Sequence, residues 1–218
     1  MIPLQPLGDR AFLARFDDED TAARWATSLR ALGWPGVVDV VLAYQTVGVH
    51  ADPDRVDLER LAARLEQLEP GATPGDAGRL VEIPVLYQGD DLPEVARRLG
   101  ISQPEVVDAH AGCEYRVFAL GFRPGFPYAG YLPQALAGLP RRESPRTRVP
   151  AGSVAIVGRQ TAVYPCESPG GWHLIGTTPL RIVDVHQAHF PIRAGDRLRF
   201  VPIRRGEFEA RRGELLDP

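Results

Sequence analysis

The chain has 218 residues, of which 44% are hydrophobic and 24% charged, with a formal net charge of −3. This is the composition of a packed globular protein, and the length suits one large domain or two small ones, of which two is the reading adopted. A net negative charge offers no basic excess to a phosphate backbone and no apolar run approaches the length of a bilayer span, so neither nucleic acid nor membrane is an expected partner.

Every basic side chain apart from histidine is arginine, because the sequence contains no lysine. Schiff-base catalysis, pyridoxal phosphate attachment, biotin attachment and a Walker A loop all need a lysine amine, so this chain can perform none of them. Cys113 and Cys166 share no ligand-spaced motif, and His186 and His189 have no acidic or thiol partner in ligand-like spacing. No disulfide framework and no metal site is expected. The opening MIPLQPLGDR lacks the basic and apolar segments of a secretory signal, which leads to an expected cytoplasmic location.

A first strand is predicted near Ile2 to Leu4, followed by an alternating strand over Ala11 to Phe16 with Phe12, Ala14 and Phe16 on one face. Asp17 to Asp20 open a helix whose stripe is Ala22, Trp25, Leu29 and Leu32, ended at Gly33 to Gly36. Val37 to Tyr44 and Thr46 to Ala51 form a predicted hairpin turning at Gln45, and a second helix is predicted from Asp52 through Leu58, Leu61, Leu65 and Leu68 to Pro70. These elements make an α+β layer with its helices on one face of an antiparallel sheet. Glu69 to Gly78 reads as a linker, dividing the chain into domains at residues 1–78 and 79–218.

Beyond the linker, Leu80 to Tyr87 is a predicted strand in which Pro84 argues for an edge or a bulge. Asp91 with Glu94 and Ser102 with Glu105 have the spacing of capping boxes on two short helices. This pair looks like a helix-turn-helix, but its second helix exposes Gln103, Glu105 and Asp108 and no basic residue, so a structural helix pair is favoured. Short β-rich runs follow at 115–120, 154–157, 161–164, 172–175, 180–185 and 198–201, in the rhythm of a barrel or sandwich. The tail after Arg204 is polar and is expected to fray.

The densest unusual stretches are GFRPGFPYAG (121–130), PRRESPRTRVPAGSV (140–154) and QTAVYPCESPGGWHLIGTTP (160–179). Glycine and proline fix the loop backbones, while Phe122, Phe126, Tyr128, Tyr164 and Trp172 supply aromatic walls; a pocket and the plugged corners of a β-barrel both fit this pattern. With AGDRLRF (194–200), and with LGDRAFLARF (7–16) near the start, these strings resemble the allophanate hydrolase subunit 1 and sporulation kinase inhibitor family, whose bacterial members are mostly B subunits of 5-oxoprolinase.

The resemblance implies an α+β chain with an N-terminal ferredoxin-like domain and a C-terminal cyclophilin-like, carboxyltransferase-like β-barrel. It also implies a subunit inactive alone, joining subunits A and C to hydrolyse 5-oxo-L-proline to L-glutamate with ATP and magnesium. Two rival functions are inhibition of a sensor histidine kinase and an allophanate hydrolase or urea carboxylase role. Prolyl isomerisation is suggested by barrel type alone, which does not transfer activity. Relative to the family pattern, Ala129 stands where a bulkier residue is usual, and Thr177 where arginine is expected.

Residue chemistry and motif position together nominate the site. Arg146, with Arg148 as runner-up, is a candidate for gripping a carboxylate or phosphate, and a solvated loop is the plainer reading of Arg141 and Arg142. His110 is a candidate for proton transfer near neutral pH, with a structural role as the alternative. Gln160 and Tyr164, four apart on one predicted strand, share a face where they could hydrogen-bond an amide; barrel packing explains them nearly as well. Ser168, Gly170, Gly171 and Trp172 either present backbone amides to an anion or form a tight hairpin. Phe122 and Phe126 complete the substrate-binding candidates.

Overall fold

The computed structural model describes residues 2–71 and 78–217. Most of the expected linker, residues 72–77, lies outside the described residues. The chain divides into two compact units, Met1–Gly78 and Arg79–Pro218.

The first unit runs β1 (Leu4–Leu7), β2 (Ala11–Arg15), α1 (Glu19–Leu32), β3 (Val37–Ala43), β4 (Thr46–Ala51) and α2 (Leu58–Gln67). Its four-stranded antiparallel sheet has the order β1-β2-β4-β3. This is the strand order of a ferredoxin-like sandwich in which the strand that normally follows the second helix comes first in the chain. Asp18 starts α1 by accepting the Thr21 amide at 2.7 Å, and Ala22, Trp25, Ala26 and Leu29 form its buried stripe. Trp25 anchors this core, tilted against Phe16 with ring centroids 5.4 Å apart and donating its indole N–H to the Leu68 carbonyl at 2.9 Å.

Three details of this unit differ from the sequence-based expectation, the first being that β1, expected near Ile2 to Leu4, runs from Leu4 to Leu7. Leu32, placed on the buried stripe, is half exposed at the end of α1. Helix α2 starts six residues later than the Asp52 signal suggested, because Asp57 is the side chain that accepts the Glu59 and Arg60 amides.

The second unit comprises β5 (Leu80–Val85), α3 (Leu92–Leu99), α4 (Gln103–Ala111), β6 (Glu114–Leu120), β7 (Pro127–Gly130), β8 (Arg146–Val149), β9 (Ser153–Val157), β10 (Gln160–Val163), β11 (Ser168–Gly170), β12 (His173–Thr177), β13 (Arg197–Pro202) and α5 (Arg205–Ala210). A seven-stranded sheet has the order β12-β9-β10-β7-β6-β13-β5, and β8 with β11 makes a separate two-stranded ribbon. The large sheet nearly closes on itself. Just past β5, Leu86 exchanges backbone hydrogen bonds with Thr177 of β12 at 2.8 and 3.0 Å, and the chain continues along β12 through Gly89 to Ile175 and Asp91 to Leu174. Pro84, which has no N–H, is therefore tolerated on the strand that ends the sheet order.

Alternation sorts the barrel side chains onto two faces. Val81, Ile83, Val85, Tyr115, Val117, Ala129, Val154, Ile156, Val163, Ile175, Leu198 and Phe200 come from all seven strands and form the enclosed core together with Val95, Ala96 and Val106 of the helix pair. The helix-turn-helix likeness thus serves packing: α4 carries the predicted Ser102–Glu105 capping box, and both helices bury their stripes in the barrel core.

The stretch 180–185 is not a strand; Arg181 and Asp184 make only isolated bridges to Leu215 and His189. Nor does the tail fray among the described residues. It forms α5, buries Leu216, and exchanges backbone hydrogen bonds with Arg181.

The barrel seam admits no side chain at Gly89, where a Cβ would lie 2.5 Å from the Ile175 carbonyl carbon and 2.6 Å from the Gly176 nitrogen. Since that backbone has nowhere to move without opening the sheet, Gly89→Ala is expected to cost about 2–3 kcal/mol, read in a thermal melt as a Tm lower by roughly 6–10 °C. An unchanged Tm would show that the seam is not closed as described.

Candidate functional site

Asp91 stands just before α3 with the spacing of a capping residue, yet it makes no side-chain cap. Its carboxylate is 5% exposed and is used by other groups. Arg146 donates both terminal nitrogens to it, each at 2.8 Å; Arg142 donates Nη1 at 2.6 Å; and the Leu174 backbone N–H of β12 donates at 2.7 Å. Glu94, the other half of the expected box, is held by Arg97 and Arg98 at 2.7–2.8 Å. Burial pushes the Asp91 carboxyl up, but the Arg146 hydrogen bonds, the Leu174 amide and the charges of Arg146 and Arg142 outweigh it and hold the group below the usual carboxylate range. In turn, the hydrogen bonds to Asp91 hold Arg146 above its ordinary value.

The clamp fixes the segment from Pro140 to Val149 against residues 168–173. The Arg142 backbone N–H donates to the Gly171 carbonyl at 2.8 Å, His173 Nε2 lies 2.8 Å from the Pro140 carbonyl, and Gly170 pairs with Arg146 in the β8–β11 ribbon. Arg142 is therefore not the solvated loop residue that its adjacency to Arg141 suggested. Arg148 points elsewhere: it is exposed and makes a two-point pair with exposed Glu167 at 2.9 Å, outside the clamp. Such a pair contributes little to stability.

On the sheet face opposite the enclosed core, Phe126, Tyr164 and Trp172 pack edge to face with Val149, Ala155, Val157, Ala162 and Leu174 around them. Tyr128 leans on Phe126 and Trp172, and Phe122 leans on Phe126 at 5.5 Å while remaining 55% exposed. Phe126, Tyr164 and Trp172 are buried at 5% exposure or less, which identifies them as the aromatic plug rather than as open pocket walls. Phe122 and Tyr128 are the two that reach the surface.

Burial pushes the Tyr164 hydroxyl up to about 12 against the opposing pull of Arg141 and Arg146, so it is a neutral hydrogen-bonding group at physiological pH. Gly170 lies against that ring, since a Cβ there would meet the Tyr164 hydroxyl and come within 3.0 Å of Cζ. Ser168 is buried with its Oγ unpaired, and Arg142 Nε and His173 Nδ1 are likewise buried without a partner among the described residues.

The structure corrects the reading of His110 as a proton donor near neutral pH. It is fully buried in the barrel core, stacked on Tyr115 and close to Phe200, with its ring nitrogens 2.7 Å from the Tyr87 hydroxyl and 2.8 Å from Thr161 Oγ1. Thr161 donates its own hydrogen to the Ala155 carbonyl, so its oxygen accepts from His110 Nε2–H, and Nδ1 accepts from Tyr87. Burial lowers the imidazole to about 3. Gln160, opposite Gly130 and Val157, has the parity of Ala162 and Tyr164 but sits at the far end of β10 from Tyr164. Sequence reasoning thus missed Asp91 and Arg142; the one available signal was an acidic doublet, Asp90 and Asp91, ahead of a helix in a chain with an arginine-rich loop.

The second unit is thus a near-closed barrel with a buried carboxylate that clamps an arginine loop to its rim. Residues 2–192 match the family described as "Carboxyltransferase domain, subdomain C and D", and the chain belongs to that family. It is 38% identical over 209 residues to the B subunit of 5-oxoprolinase from Escherichia coli O157:H7, covering 92% of this chain and 95% of that one. It is 37% identical to the B subunit of 5-oxoprolinase from Bacillus subtilis (strain 168), covering 97% of each. Among solved structures, TTHA0988 superposes with a TM-score of 0.79 at 42% identity, covering 89% of this chain. This chain spans only 40% of the TTHA0988 chain. The urea amidolyase of K. lactis shares the fold at a TM-score of 0.67 and 18% identity, over 96% of this chain and 15% of that one.

His110 makes acid sensitivity predictable. Its folded value of about 3 lies below the ordinary 6.5, so the unfolded chain binds the extra proton first. The stabilisation is complete above pH 6.5 and is lost as pH falls towards 3, at about 1.4 kcal/mol per pH unit for a single proton. Chemical denaturation between pH 6.5 and 5 should show this slope in the native chain and lose it in His110→Gln. A flat native profile would mean that the fold accepts an ionised imidazole there.

Proposed function

We propose that this chain is the B subunit of an assembly that hydrolyses 5-oxo-L-proline to L-glutamate with ATP, working with subunits A and C and inactive without them. The observation that carries this reading is the 37–38% identity to two proteins named as the B subunits of 5-oxoprolinases, across nearly the full length of each chain. TTHA0988, in which a segment similar to this chain is joined to further sequence, supports a chain that works together with another segment.

Opening the lactam requires activation, since an unstrained amide is a poor electrophile. Transfer of a phosphoryl group from ATP to its oxygen, with release of ADP, makes the carbon electrophilic. Water adds to that carbon, and the C–N bond breaks with the nitrogen taking up a proton as the free amine. A second water hydrolyses the resulting acyl phosphate to glutamate and phosphate, while cationic donors stabilise the developing charge. This chain has no lysine, so its contribution is arginine: Arg146 and Arg142 hold the substrate anion, and Phe122 and Tyr128 border it. No group of three or more His, Cys, Asp or Glu among the described residues could hold a metal ion. The reading gives ATP and magnesium to the assembly as a whole.

The test is to co-express the chain with A and C subunits and measure phosphate release. Release should require all three chains and 5-oxoproline, with glutamate formed in equal amount. Turnover driven instead by urea, or co-purification with a histidine kinase and no turnover, would replace this reading with one of its rivals.

A further inference from the structure

Two arginines donate to one buried carboxylate, and that carboxylate also accepts a backbone amide of the barrel. As a unit, Asp91, Arg142 and Arg146 carry one net positive charge. Their exposures differ in an informative way: the Asp91 side chain is 5% exposed, while those of Arg142 and Arg146 are 31% and 22% exposed. The negative member is sealed inside, and the positive members keep a face towards solvent. Arg142 Nε adds a separate observation, being a buried donor without a partner among the described residues. An unsatisfied buried donor is costly, and the cost is removed when an acceptor is brought to it.

We propose that Asp91 is a positioning residue, which presets Arg142 and Arg146 as a receptor for the single carboxylate of the substrate. This rests on the 5-oxoproline reading above and deepens it by naming the recognised group and a second arginine. Asp91 touches no substrate atom. It fixes the two guanidinium groups by consuming Nη1 and Nη2 of Arg146 and Nη1 of Arg142, which leaves Arg142 Nε and Nη2 and Arg146 Nε outside those bonds. A guanidinium held in advance loses less freedom on binding, which strengthens its grip on a planar carboxylate. Asp90, whose charge acts on Arg146, and Arg141, whose charge acts on Tyr164, offset each other, so the local balance stays at one net positive charge, which matches one carboxylate and undercharges the site for a dianionic phosphoryl group. The same loop holds Arg141 near the neutral Tyr164 hydroxyl at the border of the aromatic plug.

The test compares 5-oxoproline with 5-oxoprolinamide, which has the same ring and no carboxylate, as substrates of the three-chain assembly. The native assembly should strongly prefer the acid. Asp91→Asn should raise KM for 5-oxoproline at least tenfold, leave KM for ATP within twofold, and erase most of the acid-over-amide preference, with Asp91→Glu recovering part of it. If Asp91→Asn does not assemble, Arg142→Gln keeps the Asp91–Arg146 pair and should show the same split. Parallel losses in kcat and in both KM values, or an unchanged preference, would reduce Asp91 to a purely structural role. No turnover by the native assembly would instead overturn the functional reading on which the inference rests.

Discussion

Two buried carboxylates, Asp91 and Asp196, tie down the second unit, and Asp91 is the one that shapes its rim. Removing an ion from water costs several kcal/mol, and the cost is offset only where the geometry satisfies the group. Asp91 meets that condition with three charge-assisted hydrogen bonds from Arg142 and Arg146 and a fourth bond from the Leu174 amide. Each donor belongs to a different part of the fold. Leu174 lies on β12 at the barrel seam, Arg146 begins β8, and Arg142 lies in the loop before it, while Asp91 itself leads into α3. One residue therefore ties the seam, the ribbon and the helix pair together.

This constraint gives the aromatic plug its form. With the 140–149 segment drawn to the rim, the β8–β11 ribbon lies over the outer sheet face, and Gly170 is pressed onto Tyr164. Phe126, Tyr164 and Trp172 then have almost no access to solvent, and Phe122, with its positive φ of 63°, remains at the edge. The opposite face is occupied by the neutral His110 and its hydrogen-bonded partners, which shape the barrel interior. Charge and partial exposure thus coincide at the rim, on Arg142 and Arg146.

Much of the fold was legible in local patterns. The Trp25–Leu29 stripe, the two-residue turn at Tyr44 and Gln45, the Ser102–Glu105 cap and the alternating runs of β6, β9, β10 and β13 each depend on neighbours within a few residues. The short strands β7, β8 and β11 were not legible, since their glycines, prolines and arginines make no alternating pattern and their pairing is imposed from outside. The site was legible only in part. Arg146 could be picked out by residue type and motif, whereas Asp91 had the spacing of a cap, and its real partners lie 51, 55 and 83 residues away. His110 illustrates the opposite case, a chemically versatile residue whose role was decided by burial. Ala129 sits in the enclosed core, and Thr177 carries the seam through its backbone; neither position reaches the rim arginines through any bond described above.

A double-mutant cycle between Asp91 and Arg146, using Asp91→Asn, Arg146→Gln and the double variant in equilibrium denaturation of the chain, tests the clamp most directly. A coupling of about 2–3 kcal/mol is expected, because each single change leaves its partner buried without full compensation and the double change relieves that penalty. Additive effects, with coupling below about 0.5 kcal/mol, would mean that the two side chains do not depend on each other and that the rim is held by something else.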